Sequence, residues 1–253
     1  MIDKTVPDAA AAVAGIHDGA TVMIGGFGRA GQPVELIDAL IAQGATDLTI
    51  VNNNAGNGDT GLAALLAARR VRKIVCSFPR QHDSWVFDEL YRAGEIELDI
   101  VPQGNLAERI RAAGAGVGAF FSPTGVGTQL AEGKEQREID GRRYVLEYPI
   151  KADFALISAL QGDRWGNLVY RETARNFGPI MATAATTTIA QVDRIVPRGA
   201  LDPERVVTPG IFVDRVVAVG PRAWLQDGIF VGGVDIEGRP LGAPATASQE
   251  KAR

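Results

Sequence analysis

Two glycine- and amide-rich stretches carry the residue types best suited to holding negative charge. The first is the loop Gly25, Gly26, Phe27, Gly28, Arg29, Ala30 and Gly31. An apolar run, TVMI from Thr21, precedes it, and VELIDALIAQG follows, with Val34, Ile37, Leu40 and Ile41 at helical spacing. Pro33 suits a first helical turn and Gly44 a stop. A strand, a glycine loop and a helix start present bare backbone N–H groups to an oxyanion. No side chain blocks the approach, and the helix dipole has the favourable sign. The second stretch, NNNAGNG from Asn52, brings Asn53 and Asn54 to the end of the next strand. These asparagines either form turns or contact a ligand.

Gly26 to Gly31 also matches the dinucleotide fingerprint G-x-G-x-x-G in a strand–loop–helix setting. That fingerprint expects an acid at the end of the second strand to hold a ribose. Here LTIV from Leu48 runs into Asn52, Asn53 and Asn54, and Asp47 sits at the wrong end. A nicotinamide site is therefore the weaker reading.

Elements that would position these loops follow at short intervals. Residues 8–16 read as a first helix with Asp8 as its cap. Strands are expected at 48–51, 73–78 and 96–101, with helices near 60–70, 83–93 and 105–113. Such alternation predicts an α/β fold, a mostly parallel sheet with helices on both faces. Past residue 120 the pattern changes. Asp140-Gly141 between two strand-like runs signals a hairpin, within a small mixed subdomain near 124–175. ADFALISAL from Ala152 and the end of GDRWGNLVYR read as strands. Pro179 to Val192 reads as a buried helix, and DRIVP and IFVDRVVAV read as late strands. One domain is expected over 1–219. The tail 220–253 reads as partly disordered, with a hairpin as one reading of FVGGVDIEGRPLG.

The pattern from Asp18 to Pro33 is longer than the dinucleotide fingerprint. It runs Asp-Gly, two residues, three apolar residues, Gly-Gly-Phe, three residues, Gly-x-Pro. It resembles the signature of the family I coenzyme A transferases, alpha subunit. NNAG from Asn53, PQGNLAERIRAAGAG from Pro102, PTGVGT from Pro123, ADFALI from Ala152, GNLVYR from Gly166 and ARNFGPIMA from Ala174 resemble the same family, over roughly residues 3 to 219.

The resemblance implies transfer of CoA between carboxylic acids through a glutamate that forms first an anhydride and then a glutamyl-CoA thioester. Each step creates an oxyanion, and both intermediates need protection from water. In the family that glutamate lies in a Ser-Glu-Asn-Gly motif on the beta subunit or C-terminal half, and this chain has no such motif. The implication is an alpha subunit that works only with a beta subunit carrying the motif. Glu95, Glu97, Asp99, Glu132 and Glu135 read as solvated acids instead.

The resemblance gives Gln103 an amide-donor role near the reacting thioester, with a loop cap as the alternative. Phe27 either walls the pocket against water or fills core. The stretch SFPRQHDSWVFDELYRAG most resembles members acting on 3-oxoadipate rather than acetoacetate. The second carboxylate of that substrate points to Arg80 as a bidentate partner, against the alternative of a solvated surface arginine. The substrates implied are thus succinyl-CoA and 3-oxoadipate, with acetoacetate as the alternative acid. His82 reads as surface or one layer behind the site, and Cys76 as a small core residue.

Bulk numbers set the remaining bounds. The 253 residues carry 26 basic and 30 acidic side chains, a net charge of −4. No basic block points to nucleic acid or an anionic membrane. No apolar run approaches the roughly 20 residues of a bilayer span. No basic-then-apolar secretion leader opens the chain. One cysteine excludes an internal disulfide, and two histidines leave little for a metal. No permanently bound cofactor is expected, and the compartment expected is cytoplasmic. A non-catalytic sensor of related fold is the alternative from a different class, although no DNA-binding helical module accompanies it.

Overall fold

The computed structural model describes residues 2–81 and 83–220, and the backbone of 224–226 and 229–231. Short β-branched and aliphatic runs make the core strands. β1 (Thr21–Ile24), β2 (Leu48–Val51), β3 (Val71–Cys76) and β4 (Glu97–Ile100) pair in parallel in that order. Between them run α2 (Val34–Gln43), α3 (Leu62–Ala67) and α4 (Trp85–Arg92), with α1 (Ala9–Val13) ahead of β1. Asp8 caps α1, its carboxylate accepting from the Ala11 amide at 2.7 Å. Gly44 ends α2 in the left-handed region.

After α5 (Gln103–Gly114) the chain leaves the sheet for β5 (Phe120–Ser122), β6 (Gln136–Ile139) and β7 (Arg142–Glu147), a small antiparallel sheet in the order β5-β7-β6. Asp140 and Gly141, both at positive φ, make the two-residue turn that joins β6 to β7. The chain then returns through β8 (Ala152–Asp163), β9 (Leu168–Val169), α6 (Gly178–Ala184), β10 (Ala185–Val196) and β11 (Arg215–Ala218). The main sheet has the order β11-β10-β8-β1-β2-β3-β4, parallel throughout, with β9 antiparallel on β8. The order reverses between β1 and β8, and that is where a ligand crevice is expected at the carboxyl edge of such a sheet.

Alternate residues of the central strands enter two separate cores. Ile24, Ile50, Ile74 and Leu156 pack with α1 to α4 on one face. Met23, Val51, Val75, Ala155 and Ile157 pack with Leu106 and Ile110 of α5 and Met181 of α6 on the other. Burial on both faces accounts for strands that read as continuous apolar runs.

Two expectations change. The small sheet spans 120–147, and Ala152 onward belongs to the main sheet, so the subdomain is shorter than 124–175. The run from Pro179 to Val192 is helical only as far as Ala184, where β10 begins. Thr186, Thr187, Thr188 and Ile189 are β-branched, and pairing with β8 along β10 from Ala185 to Val196 holds the stretch extended. Beyond Gly220, β12 (Trp224–Gln226) pairs with β13 (Ile229–Val231) as a hairpin. It lies upstream of most of the stretch expected to form one, and the expectation for 232–253 falls outside the described residues. No helix among the described residues is long and apolar enough to cross a membrane.

Candidate active site

The strand ends beside β1 are laced into one row. Asn52 Nδ2 donates to the Ile24 carbonyl at 2.5 Å, which ties β2 to the start of the glycine loop. Asn53 Oδ1 accepts from Ser77 Oγ and from Gln103 Nε2, each at 2.8 Å. Asn52 and Asn54 form successive turns, with Asn52 Oδ1 accepting the Asn54 amide and Asn54 Oδ1 the Gly56 amide. Asn54 Nδ2 is buried without a hydrogen-bond partner among the described residues. Gln103 is the first residue of α5 rather than part of a loop. One of its amide hydrogens goes to Asn53, and an NH₂ group carries a second.

The glycine loop differs from the open cradle expected. Gly25 N–H continues the sheet to the Leu156 carbonyl at 2.9 Å, and Gly26 N–H donates to Asn176 Oδ1 at 3.1 Å. Phe27 and Ala30 exchange N–H···O bonds of 3.0 and 3.1 Å across a two-residue turn. The amides of Gly28 and Arg29, at its tip, have no hydrogen-bond partner among the described residues. The start of α2 is taken in part. The Leu36 amide donates to Gln191 Oε1 of β10 at 3.0 Å, and Gln191 is fully buried. The expected open cradle is therefore reduced: Gly25, Gly26, Phe27 and Ala30 spend their amides within the fold, and those of Gly28 and Arg29 stay free.

What faces this turn is a strap over residues 170–176. Asn176 Nδ2 donates to the carbonyls of Ala30 at 3.0 Å and Thr173 at 3.1 Å. Gly31 has φ +74, and a Cβ there would lie 2.1 Å from the Ala174 carbonyl oxygen, so only glycine permits the contact. Glu172 and Asn176 both sit at positive φ, a strain the strap bears beside the site. A cavity of about 720 Å³ opens between loop and strap, at the point of strand-order reversal. Phe27, Tyr170 and Val207 supply its apolar lining, and Glu172 and Arg175 its charged groups. Phe27 is 48% exposed and lines this space, which makes it a wall and not core. Burial raises the Tyr170 phenol above its ordinary value, against the opposing hydrogen bond with Thr208 at 2.8 Å. Tyr170 is thus a neutral wall at any working pH.

Arg80, in the loop after β3, donates from Nε to Asp88 Oδ1 of α4 at 2.5 Å. Arg29 pairs with Asp83 at 3.5 Å. Asn53, Asn54, Arg80 and Gln103 do not line the cavity; of the glycine loop, Phe27 and Ala30 do. His82 lies outside the described residues. Cys76 is fully buried, and burial pushes its thiol up to about 12. Glu95, Glu97, Asp99 and Glu135 are each salt-bridged to a neighbouring cation on the surface. No group of acids, histidines and cysteines suited to a metal occurs among the described residues.

Sequence reading gave no role to Glu172, Arg175 or Asn176. Arg175 and Asn176 had a signal only in the segment ARNFGPIMA, and Glu172, between the two quoted segments, had none; that this stretch folds back onto a loop some 150 residues earlier is a tertiary fact.

The family model described as Coenzyme A transferase matches residues 6–219. The A-type subunit of the 3-oxoadipate CoA-transferase of Pseudomonas putida is 73% identical over 223 residues, 88% of this chain and 96% of that protein. The A-type subunit of the succinyl-CoA:3-ketoacid coenzyme A transferase of Xanthomonas campestris pv. campestris (strain B100) is 51% identical, over 85% of this chain and 88% of that one. Among solved structures, the acyl-CoA transferase YdiF of E. coli O157:H7, in a thioester complex with CoA, superposes with a TM-score of 0.80 at 25% identity. The superposition covers 90% of this chain and 52% of YdiF, so this chain spans about half the length of that transferase.

Proposed function

This chain belongs to the coenzyme A transferase family, and on that premise we propose that it is the alpha half of a two-chain enzyme moving CoA from succinyl-CoA to 3-oxoadipate. The observation that carries the reading is the 73% identity to the corresponding half of a 3-oxoadipate CoA-transferase, across 96% of that relative. Transfer to acetoacetate is the second reading, supported by the 51% relative.

In this proposal a beta subunit brings the Ser-Glu-Asn-Gly glutamate to the carboxyl edge of the sheet. Its carboxylate attacks the succinyl-CoA carbonyl, forming the mixed anhydride and releasing CoA thiolate. The thiolate then attacks the enzyme's side of the anhydride, giving glutamyl-CoA and free succinate; the acceptor acid reverses both steps. Within residues 1–219 the chain supplies the amides at the tip of the glycine loop and the remaining N–H of Gln103 for the oxyanions. Phe27 and Tyr170 supply apolar wall that limits water. Asn53 orients Gln103, and Asn54 shapes the loop beside it. CoA enters as a substrate thioester, no permanent cofactor takes part, and the proposed compartment is the cytoplasm.

Co-expression with a beta subunit of this family and assay of CoA transfer tests this. The pair is expected to turn over 3-oxoadipate, and the single chain to be silent. Sustained turnover by the single chain would end the two-chain reading, and a preference for acetoacetate would favour the second acid.

A further inference from the structure

From the strap and its cavity we infer that Arg175 is the anchor for the remote carboxylate of the acyl group, so that the cavity is a dicarboxylate-monothioester subsite. The inference rests on the proposed function and names a residue for its substrate choice. An acyl group of this class has an apolar chain with a charge at its far end, and needs apolar walls ending in an uncommitted cation. Phe27, Tyr170 and Val207 are such walls, and Arg175 is the cation that lines the cavity with them. Neighbouring arginines on the glycine-loop side are committed, Arg29 to Asp83 and Arg80 to Asp88. Arg175 makes no ion pair among the described residues, not even with Glu172, which lines the same cavity. A planar guanidinium matches a carboxylate through two parallel hydrogen bonds. Asn176 fixes the backbone turn that carries Arg175, which keeps the base of this side chain beside the cavity while its guanidinium stays free to meet a carboxylate. Glu172, on the same wall, disfavours a carboxylate placed beside it.

CoA phosphates are a second source of the same anionic chemistry, and the experiment separates the two. Arg175→Ala and Arg175→Lys are assembled with the beta subunit, and kcat/KM is measured with 3-oxoadipate and with acetoacetate as acceptors. Succinyl-CoA and acetoacetyl-CoA are then compared as donors. Loss of a charged hydrogen-bonded pair is expected to lower kcat/KM for 3-oxoadipate and succinyl-CoA by about 10- to 100-fold, with acetoacetate and acetoacetyl-CoA changed by less than about threefold. Arg175→Lys is expected to fall between, and Glu172→Gln to lower KM for 3-oxoadipate. Arg175→Gln keeps most of the bulk and serves if truncation unfolds the strap. Equal losses with acetoacetyl-CoA and succinyl-CoA would place Arg175 on the CoA phosphates and overturn the inference. So would a shift in acid preference produced by Arg80→Ala and not by Arg175→Ala. A wild-type pair that moves CoA to neither acid overturns the proposed function and this inference together, whereas an active wild type with an indifferent Arg175→Ala overturns this inference alone.

Discussion

Asn176 clips the glycine loop at both ends: its Oδ1 accepts the Gly26 amide at 3.1 Å and its Nδ2 donates to the Ala30 carbonyl at 3.0 Å. The same side chain also closes its own turn, accepting from the Phe177 amide at 2.7 Å. One amide therefore sets the distance between Phe27 on the loop and Arg175 on the strap, the two sides of the cavity.

Asn176→Ala removes those bonds and places alanine at φ +23, where asparagine is better tolerated. A stability loss of about 1–3 kcal/mol is expected, with a fall in transfer activity that persists well below the new melting temperature. Asn176→Asp keeps the acceptor but turns a carboxylate oxygen toward the Ala30, Thr173 and Ala174 carbonyls, so it does not rescue. Thermal melts and transfer assays on the assembled pair check both; an aspartate variant with normal activity contradicts the clip.

Gly31→Ala forces a methyl against the Ala174 carbonyl at 2.1 Å. Backbone strain and displaced strap together are expected to cost about 2–3 kcal/mol. Gly104→Ala is the contrast, because that glycine, second in α5, has nothing within 4 Å of its added methyl. It is expected to gain up to about 0.5 kcal/mol from helix propensity, less than a mid-helix position would. Denaturant midpoints of the two variants should move in opposite directions.

Gln191 joins β10 to the first turn of α2, accepting from the Leu36 amide at 3.0 Å and donating to the Glu35 carboxylate. Gln191→Leu fills the same volume and leaves the buried Leu36 N–H unpaired, at a cost of about 1–3 kcal/mol. Urea denaturation measures this, and an unchanged midpoint contradicts the cap.

Glu147 is 3% exposed, with Lys134 Nζ at 2.8 Å, Asn105 Nδ2 at 3.2 Å and Arg109 Nε at 3.8 Å. The cluster bolts the small sheet onto α5. Lys134→Met strips the closest cation and is expected to cost about 2–3 kcal/mol, less than a full orphaning because Arg109 stays. Limited proteolysis near the Asp140-Gly141 turn should accelerate in this variant before cleavage elsewhere does.

Burial raises the Cys76 thiol from about 9 to about 12. The folded state then holds a proton that the unfolded state releases, so stability falls as pH rises. This contribution is fully present below about pH 9 and is lost progressively toward about pH 12. Alkylation of native protein at pH 8 is expected to be negligible and to become fast on unfolding. Rapid labelling of the native chain contradicts the assignment of Cys76 to the core.

Local chemistry alone determined a good deal here. Asp8 as a cap, Gly44 as a stop, Asp140-Gly141 as a turn and the apolar runs of β1 to β3 depend on neighbours a few residues away, and sequence spacing records such dependence directly. The signature from Asp18 to Pro33 carried the family for the same reason. Only tertiary structure decided the rest. The helix expected through Val192 became β10 after Ala184 because pairing with β8, far away in sequence, outweighed local preference. Two of the loop amides expected to lie open, those of Gly25 and Gly26, were taken by Leu156 and Asn176, whereas those of Gly28 and Arg29 stayed free. Arg175 gained its place facing Phe27 by the same route. A strand order that reverses between β1 and β8 is set by burial of two faces at once, and no window of sequence contains both faces.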